Sequence, residues 1–159
     1  MTDYKTLHPS SRVWIYQSNK ELSGETVDFL KIEIANFVSQ WTAHNHALKA
    51  WGDLLENRFI VLMVDESQAG ASGCSIDKSV AFVKYCADKL ALDFFDRFNF
   101  AYRKDAKLYT ADRTEFENLY RKGELNDSTI VYNNLVQTKA EFEEKWQIAL
   151  GESWHRNFV

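Results

Sequence analysis

One stretch of the chain differs from the rest, an unbroken run of six apolar residues from Phe59 to Val64. A strand with two apolar faces is covered on both, so this run predicts the central strand of a sheet with helices on each side. A loop of small residues follows. Apolar residues then recur at helical spacing, at Ile76, Val80, Val83, Ala87 and Leu90. Residues 58–90 therefore predict a strand, a loop and a helix in succession.

Shorter patterns predict the other elements. Runs rich in β-branched and aromatic residues predict strands at residues 12–17, 98–103, 107–110 and 129–136. Lys104-Asp105-Ala106 joins the second and third of these strands in a predicted hairpin. Helical spacing predicts a helix that is capped by Ser23 and continues to about Ala43. Capping-box pairs at Asp112/Glu115 and Thr138/Glu141 predict two more helices, the second with Phe142, Trp146 and Leu150 facing inward. Residues 44–58 predict a connection or a short helix.

The order of these elements predicts an α+β fold. From about residue 57 to 136 the order is βαββαβ, which is that of a ferredoxin-like split βαβ unit. We expect a mixed, mainly antiparallel sheet covered by helices, with an added N-terminal strand–helix pair and a C-terminal helix. Other mixed sheets fit the same order. A length of 159 residues predicts a single domain over residues 1–159, with residues 1–10 loosely held.

Composition narrows the range of partners. The net charge of −4, without a run of Lys or Arg, argues against nucleic acid and acidic membranes as partners. The two cysteines, Cys74 and Cys86, are too few for a disulfide scaffold, and we expect reduced thiols. The N-terminus lacks the apolar core of a signal peptide, and no apolar run is long enough to span a bilayer. These features predict a cytoplasmic protein.

The loop after residue 64 imitates a nucleotide-binding motif. GASGCSIDKS at residues 70–79 lies between a strand and a helix, where a Walker A loop would lie. That motif needs glycine directly before the lysine, whereas Asp77 precedes Lys78 here. The strand that ends in Asp65 and Glu66 imitates Walker B, but it precedes the loop instead of following it. The spacing and order exclude hydrolysis of the ABC-ATPase type.

Several segments together resemble an uncharacterised family of short bacterial proteins whose members often carry the label "ABC transporter ATPase". The segments are WTAH (41–44), RFIVLMVDESQAGASGCSID (58–77), FFDR (94–97), VYNNLVQT (131–138) and ESWHR (152–156). The resemblance covers most of the chain, from Trp14 onward. It implies no activity, ligand or catalytic residue, and we attribute the label to the two imitated motifs.

Because nucleotide hydrolysis is excluded, the sequence of the loop after residue 64 instead predicts an anion-binding site. A Gly- and Ser-rich loop that leads into a helix N-terminus offers free N–H groups to a phosphate or carboxylate. The expected ligand-binding residues are Ser72, Gly73, Cys74, Ser75 and Asp77. We therefore predict a binding module for a small anionic ligand or a protein partner, without a cofactor. The plainer alternative is a tight connection in which Ser75 caps the helix and Asp77 complements its dipole.

A second hypothesis is a small cysteine-dependent enzyme. A helix N-terminus stabilises a thiolate, so Cys74 is a candidate nucleophile, with Asp65 and Glu66 as candidate catalytic carboxylates. The base would be a histidine, and His44, His46 and His155 are available. Alternatively, Cys74 is a small buried residue without chemistry. The carboxylates of Asp65 and Glu66 would then end the strand or hold Mg²⁺. We expect no metal site at His44 and His46, because no third ligand is nearby.

Overall fold

Strand β5, Phe59–Asp65, is the middle strand of a three-stranded antiparallel sheet. The computed structural model describes residues 3–67 and 71–159. β5 pairs on one side with β1, Arg12–Gln17, and on the other with β4, Lys49–Leu55. All seven residues of β5 are buried. The prediction of a central buried strand is confirmed.

In the described part of the chain, four helices and three small antiparallel sheets form an α+β fold. The helices are α1 (Gly24–Gln40), α2 (Gly73–Leu90), α3 (Arg113–Arg121) and α4 (Lys139–Lys145). β2 (Thr42–Ala43) and β3 (His46–Ala47) form a two-stranded sheet. The third sheet has the order β7-β6-β8-β9, with strands β6 (Asn99–Lys104), β7 (Lys107–Asp112), β8 (Ile130–Tyr132) and β9 (Gln147–Ala149). No helix among the described residues is long and apolar enough to cross a membrane.

The chain divides into two compact units, each with a core of its own. The first unit contains Met1–Phe95 and Gln137–Ala140, and the second contains Asp96–Val136 and Glu141–Val159. The single domain expected over residues 1–159 stays a prediction.

The core of the first unit lies between its sheet and two helices. One apolar cluster joins residues from β5, α1 and α2, namely Ile60, Leu62, Val64, Leu30, Ile34, Val83 and Cys86. Alternate residues of a strand point to the same face of a sheet, so both helices cover one face. The prediction of a helix on each side is wrong for these two helices.

Strand β4 corrects the prediction of a connection or short helix at residues 44–58. Gly52 lies in this strand, and a Cβ there would come within 2.8 Å of Leu62 and 2.9 Å of Ile34 and Val38. Glycine is depleted in strands, which hid β4 in the sequence. In the structure, the same glycine lets α1 pack directly on the sheet.

The first helix also ends earlier than predicted, at Gln40 instead of about Ala43. Thr42 and Ala43 pair with Ala47 and His46 in the β2–β3 hairpin, which removes them from the helix. Ser23 occupies the predicted capping position, but its side chain makes no capping hydrogen bond.

The second unit contains the predicted hairpin and cap. Lys104 pairs with Lys107, and the two residues between them, Asp105 and Ala106, have φ of 53° and 65°. Two positive φ angles in a two-residue loop are typical of a type I′ turn, which matches the twist of hairpin strands. Asp112 Oδ1 accepts the Glu115 N–H at 2.8 Å and caps α3 as predicted.

The strand order does not show the predicted ferredoxin-like arrangement. That arrangement would place the central strand in one sheet with the strands after α2. Here β5 pairs with β1 and β4, whereas β6, β7 and β8 form another sheet with β9. The strand pairs that the structure describes are antiparallel. The expected single mixed sheet is therefore replaced by small antiparallel ones.

The last strand and helix are both shorter than predicted. β8 ends at Tyr132 and α4 ends at Lys145, and β9 then pairs with β8. The Asn133 N–H donates to the Trp146 carbonyl at 2.6 Å, and Trp146 Nε1 donates to Asn134 Oδ1 at 3.0 Å. These bonds end both elements at a turn. The two asparagines thus have a hydrogen-bonding role in the fold.

The C-terminal tail packs on the core of the second unit. It forms two short 3₁₀ helices, Leu150–Glu152 and Trp154–Phe158. The ring of Phe100 lies 5.5 Å from that of Trp154 and 5.3 Å from that of Phe158, measured between centroids.

Candidate functional site

The first turn of α2 contains most of the predicted ligand-binding residues. Ser72 is the N-cap, and its Oγ accepts the Ser75 N–H at 3.1 Å. In return, Ser75 Oγ accepts the Ser72 N–H at 2.7 Å. The first four N–H groups of a helix have no partner within it. This capping box uses the N–H groups of Ser72 and Ser75. The N–H groups of Gly73 and Cys74 are therefore the two that lie outside the cap.

These two residues lie at the surface. Gly73 and Cys74 are both exposed, and a Cβ added at Gly73 would meet no atom within 4 Å. Asp77, one turn further on, is exposed as well, whereas Ser75 is only 1% exposed. The predicted set thus divides into two serines that build the cap, two surface residues with N–H groups outside it, and the exposed carboxylate of Asp77.

The two cysteines have opposite environments. Cys74 is exposed and Cys86 is buried, and both are free thiols. Burial in the core raises the pKa of Cys86 to about 12, and the charge of Glu33 adds to the rise. Cys86 is therefore a protonated core residue. The expectation that Cys74 could be buried does not describe the structure.

Among the described residues, no base is hydrogen-bonded to Cys74. No hydrogen bond in the described part of the first unit joins its sulfur to a histidine or a carboxylate. His44 lies with Asn45 in the turn of the β2–β3 hairpin, where φ is 50° and 64°. His155 lies in the core of the second unit, with its Nδ1 2.7 Å from Ser153 Oγ.

Asp65 has a buried carboxylate with several donors around it. The residue is 2% exposed. Its Oδ1 accepts the Ser67 N–H at 2.9 Å, and its Oδ2 accepts the His8 N–H at 3.1 Å and lies 3.5 Å from Lys49 Nζ. Hydrogen bonds from Ser67, then those from His8 and the charge of Lys49, hold the pKa of Asp65 well below its usual range despite its burial. Asp65 is an ionised group that joins three segments of the chain.

Glu66 points to a different partner. Its Oε1 lies 3.5 Å from Arg12 Nε, and both side chains are partly exposed. The Arg12 guanidinium also lies over the Trp14 ring, 4.9 Å from its centroid. An exposed ion pair of this kind contributes about 0–1 kcal/mol. Within the described residues, neither Asp65 nor Glu66 is hydrogen-bonded to Cys74, and no group of three or more His, Cys, Asp or Glu residues could hold a metal ion.

Sequence reasoning missed the buried lysine that is bonded to the N-terminal residues. Lys139 is 6% exposed, and its Nζ donates to the carbonyls of Lys5 at 3.0 Å and Leu7 at 2.8 Å. Residues 3–8, expected to be loosely held, are thus bonded to two buried charged side chains. A single lysine near a helix start is ordinarily a surface residue. The unusual burial of Lys139 could not be read from its neighbours in the sequence.

The fold and these residues define an α+β protein with a capped, surface-exposed start of α2 and a buried, ionised aspartate at the end of β5. Comparison with models of known families, with curated proteins and with solved structures gave no match for this chain.

Proposed function

We propose that this protein is a binding module whose first turn of α2 takes a small anionic ligand such as a phosphate or carboxylate group. One observation carries the proposal: the capping box leaves the Gly73 and Cys74 N–H groups outside it, both on exposed residues. α2 has 18 residues, so its dipole favours negative charge at this end. The first turn contains no acidic residue that would compete.

A proline substitution tests this proposal at one atom. Proline lacks an N–H but is well tolerated at the first position of a helix. Ser72 has φ of −94° and ψ of 166°, a conformation that a following proline allows. We expect inorganic phosphate to shift the amide resonances of Gly73 and Cys74, and Gly73→Pro to weaken binding about tenfold, since an anion loses one charge-assisted hydrogen bond.

Gly73→Ala is the matched control, because it changes the same residue and retains the N–H. It should bind phosphate as the unmodified protein does. Phosphate that leaves the two amides unperturbed would refute the site. So would equal affinity in the proline and alanine variants.

A second candidate, a cysteine-dependent enzyme, is favoured by the exposure of the Cys74 thiol. The absence of a hydrogen-bonded base among the described residues of this unit counts against it, because a nucleophilic cysteine needs one. The binding proposal expects Cys74 to be alkylated no faster than glutathione at the same pH. Much faster alkylation of Cys74 would favour the enzyme.

We also propose that the chain belongs to the uncharacterised bacterial family that it resembles, as a cytoplasmic protein without ATPase activity. The resembling segments include the whole of β5 and the first turn of α2.

A protein partner with an acidic side chain is the alternative ligand for the Gly73 and Cys74 N–H groups. The net charge of −4 supports the exclusion of nucleic acid and acidic membranes as partners.

A further inference from the structure

Residues 4–8 lie on the first unit in the manner of a bound peptide, and we call them the N-terminal strap. Tyr4–Thr6 form a short 3₁₀ helix. The Tyr4 ring lies 5.0 Å from that of Trp51 between centroids, and Leu7 is 2% exposed. The strap therefore contributes the Tyr4 ring and the buried Leu7 side chain to the packing of the first unit.

Two buried charged groups hold the main chain of the strap. Lys139 Nζ donates to the carbonyls of Lys5 and Leu7, and Asp65 Oδ2 accepts the His8 N–H. Buried charges lose hydration, and this loss offsets much of the energy of their hydrogen bonds. On opening, both groups would regain water, so detaching the strap costs less than opening an apolar core of the same size.

The same carboxylate also holds the turn after β5. Asp65 Oδ1 accepts the Ser67 N–H at 2.9 Å, while its Oδ2 accepts that of His8 at 3.1 Å. A carboxylate fixed by donors at both oxygens has one orientation. If the donor from the strap leaves, water replaces it and the constraint on the other oxygen weakens.

We propose that the strap opens as a unit, and that its opening loosens the Asp65–Ser67 turn through the shared carboxylate. The strap and the turn are then two ends of one conformational switch, with Lys139 as the group that keeps it closed. This inference does not depend on anion binding at α2.

Lys139→Met tests the switch, because it removes the ammonium and retains a flexible apolar side chain. Amide exchange measured residue by residue by NMR should rise about tenfold at Thr6, Leu7 and His8, the loss expected for a charge-assisted hydrogen bond. Exchange at Ser67 should rise with it, while exchange in β5 stays unchanged. Lys145→Met is the matched control, since Lys145 is an exposed lysine of the same helix.

Faster exchange in the strap without a change at Ser67 would overturn the coupling. Unchanged exchange in the strap would overturn the role of Lys139. If Lys139→Met does not fold, Leu7→Ala takes its place, because it weakens the strap and leaves Lys139, Asp65 and Ser67 intact. It must then raise exchange at both His8 and Ser67, and failure at either position contradicts the proposal.

Discussion

The cores of the two units differ in chemistry. The first is mainly aliphatic around β5, with Leu30, Ile34, Ile60, Leu62 and Val64 at 0% exposure. The second is aromatic around Phe100, whose ring centroid lies 5.1 Å from that of Phe116 and 4.9 Å from that of His155. The buried thiol of the first core, Cys86, stays protonated because its pKa is raised to about 12, whereas the second core contains a histidine that is 1% exposed.

The two units also keep their buried ionisable groups in opposite charge states. Asp65 of the first unit is held charged, because Ser67, His8 and Lys49 donate to it or lie beside it. His155 of the second unit is held neutral, because burial lowers its pKa to about 4 from a usual 6.5. Hydrogen-bond donors, and not burial alone, therefore decide the charge of a buried group.

The largest loss of stability should follow removal of the Phe116 ring at the centre of the second core. Phe116 is 0% exposed and contacts Phe100 and Tyr102, so Phe116→Ala should lower the free energy of unfolding by about 3–5 kcal/mol. Urea unfolding would measure it. Phe98→Ala is the control, because it removes the same ring from a residue that is 49% exposed. Its loss of unfolding free energy should be well under half as large. Similar costs for both would mean that the cluster around Phe100 is not a tightly packed core.

The next effect distinguishes the two buried ionisable groups by pH. The folded protein binds a proton at His155 less readily than the unfolded chain does, so His155 lowers the stability of the fold in acid. Relative to pH 7, about 3 kcal/mol should be lost as pH falls from 6.5 to 4, with no further loss below 4. Asp65 has a lowered pKa too, so its contribution is complete above its unfolded value of about 3.9 and is lost only below it. The window between pH 4 and 6.5 therefore isolates the histidine.

His155→Gln provides the check on that window. Glutamine can still hydrogen-bond to Ser153 but does not titrate. Urea unfolding at pH 7, 5.5 and 4.5 should show a steep loss of stability in the unmodified protein and a much flatter profile in the variant. Equal slopes would assign the pH dependence to other groups.

The sequence predicted β5 because an apolar run without alternation has one common explanation, burial on both faces. It predicted the hairpin at residues 104–107 and the cap at Asp112 because both depend on neighbours within a few residues. The same holds for the start of α2, where Ser72 and Ser75 bond to each other. Local chemistry of this kind is visible in a sequence.

The missed features depend on distant partners. Beyond its local donor Ser67, Asp65 is held charged by His8 and Lys49, which are brought to it by the strap and by β4. Periodicity carries no information about such pairings. The division of the strands among three sheets is of the same kind, since strand order alone fits several pairings.

The smallest loss of stability should come from a substitution at Gly52, the glycine that hid β4 in the sequence. Gly52→Ala places a Cβ 2.8 Å from Leu62 and 2.9 Å from Ile34 and Val38, so the helix or the strand must shift. Overpacking of this kind costs about 1–3 kcal/mol, measurable by urea unfolding. Gly73→Ala is the matched control, because its Cβ meets nothing within 4 Å, and it should be neutral or stabilising by up to about 1 kcal/mol. If Gly52→Ala proved as harmless as Gly73→Ala, α1 would have room to move on the sheet, and the aliphatic core would be the looser of the two.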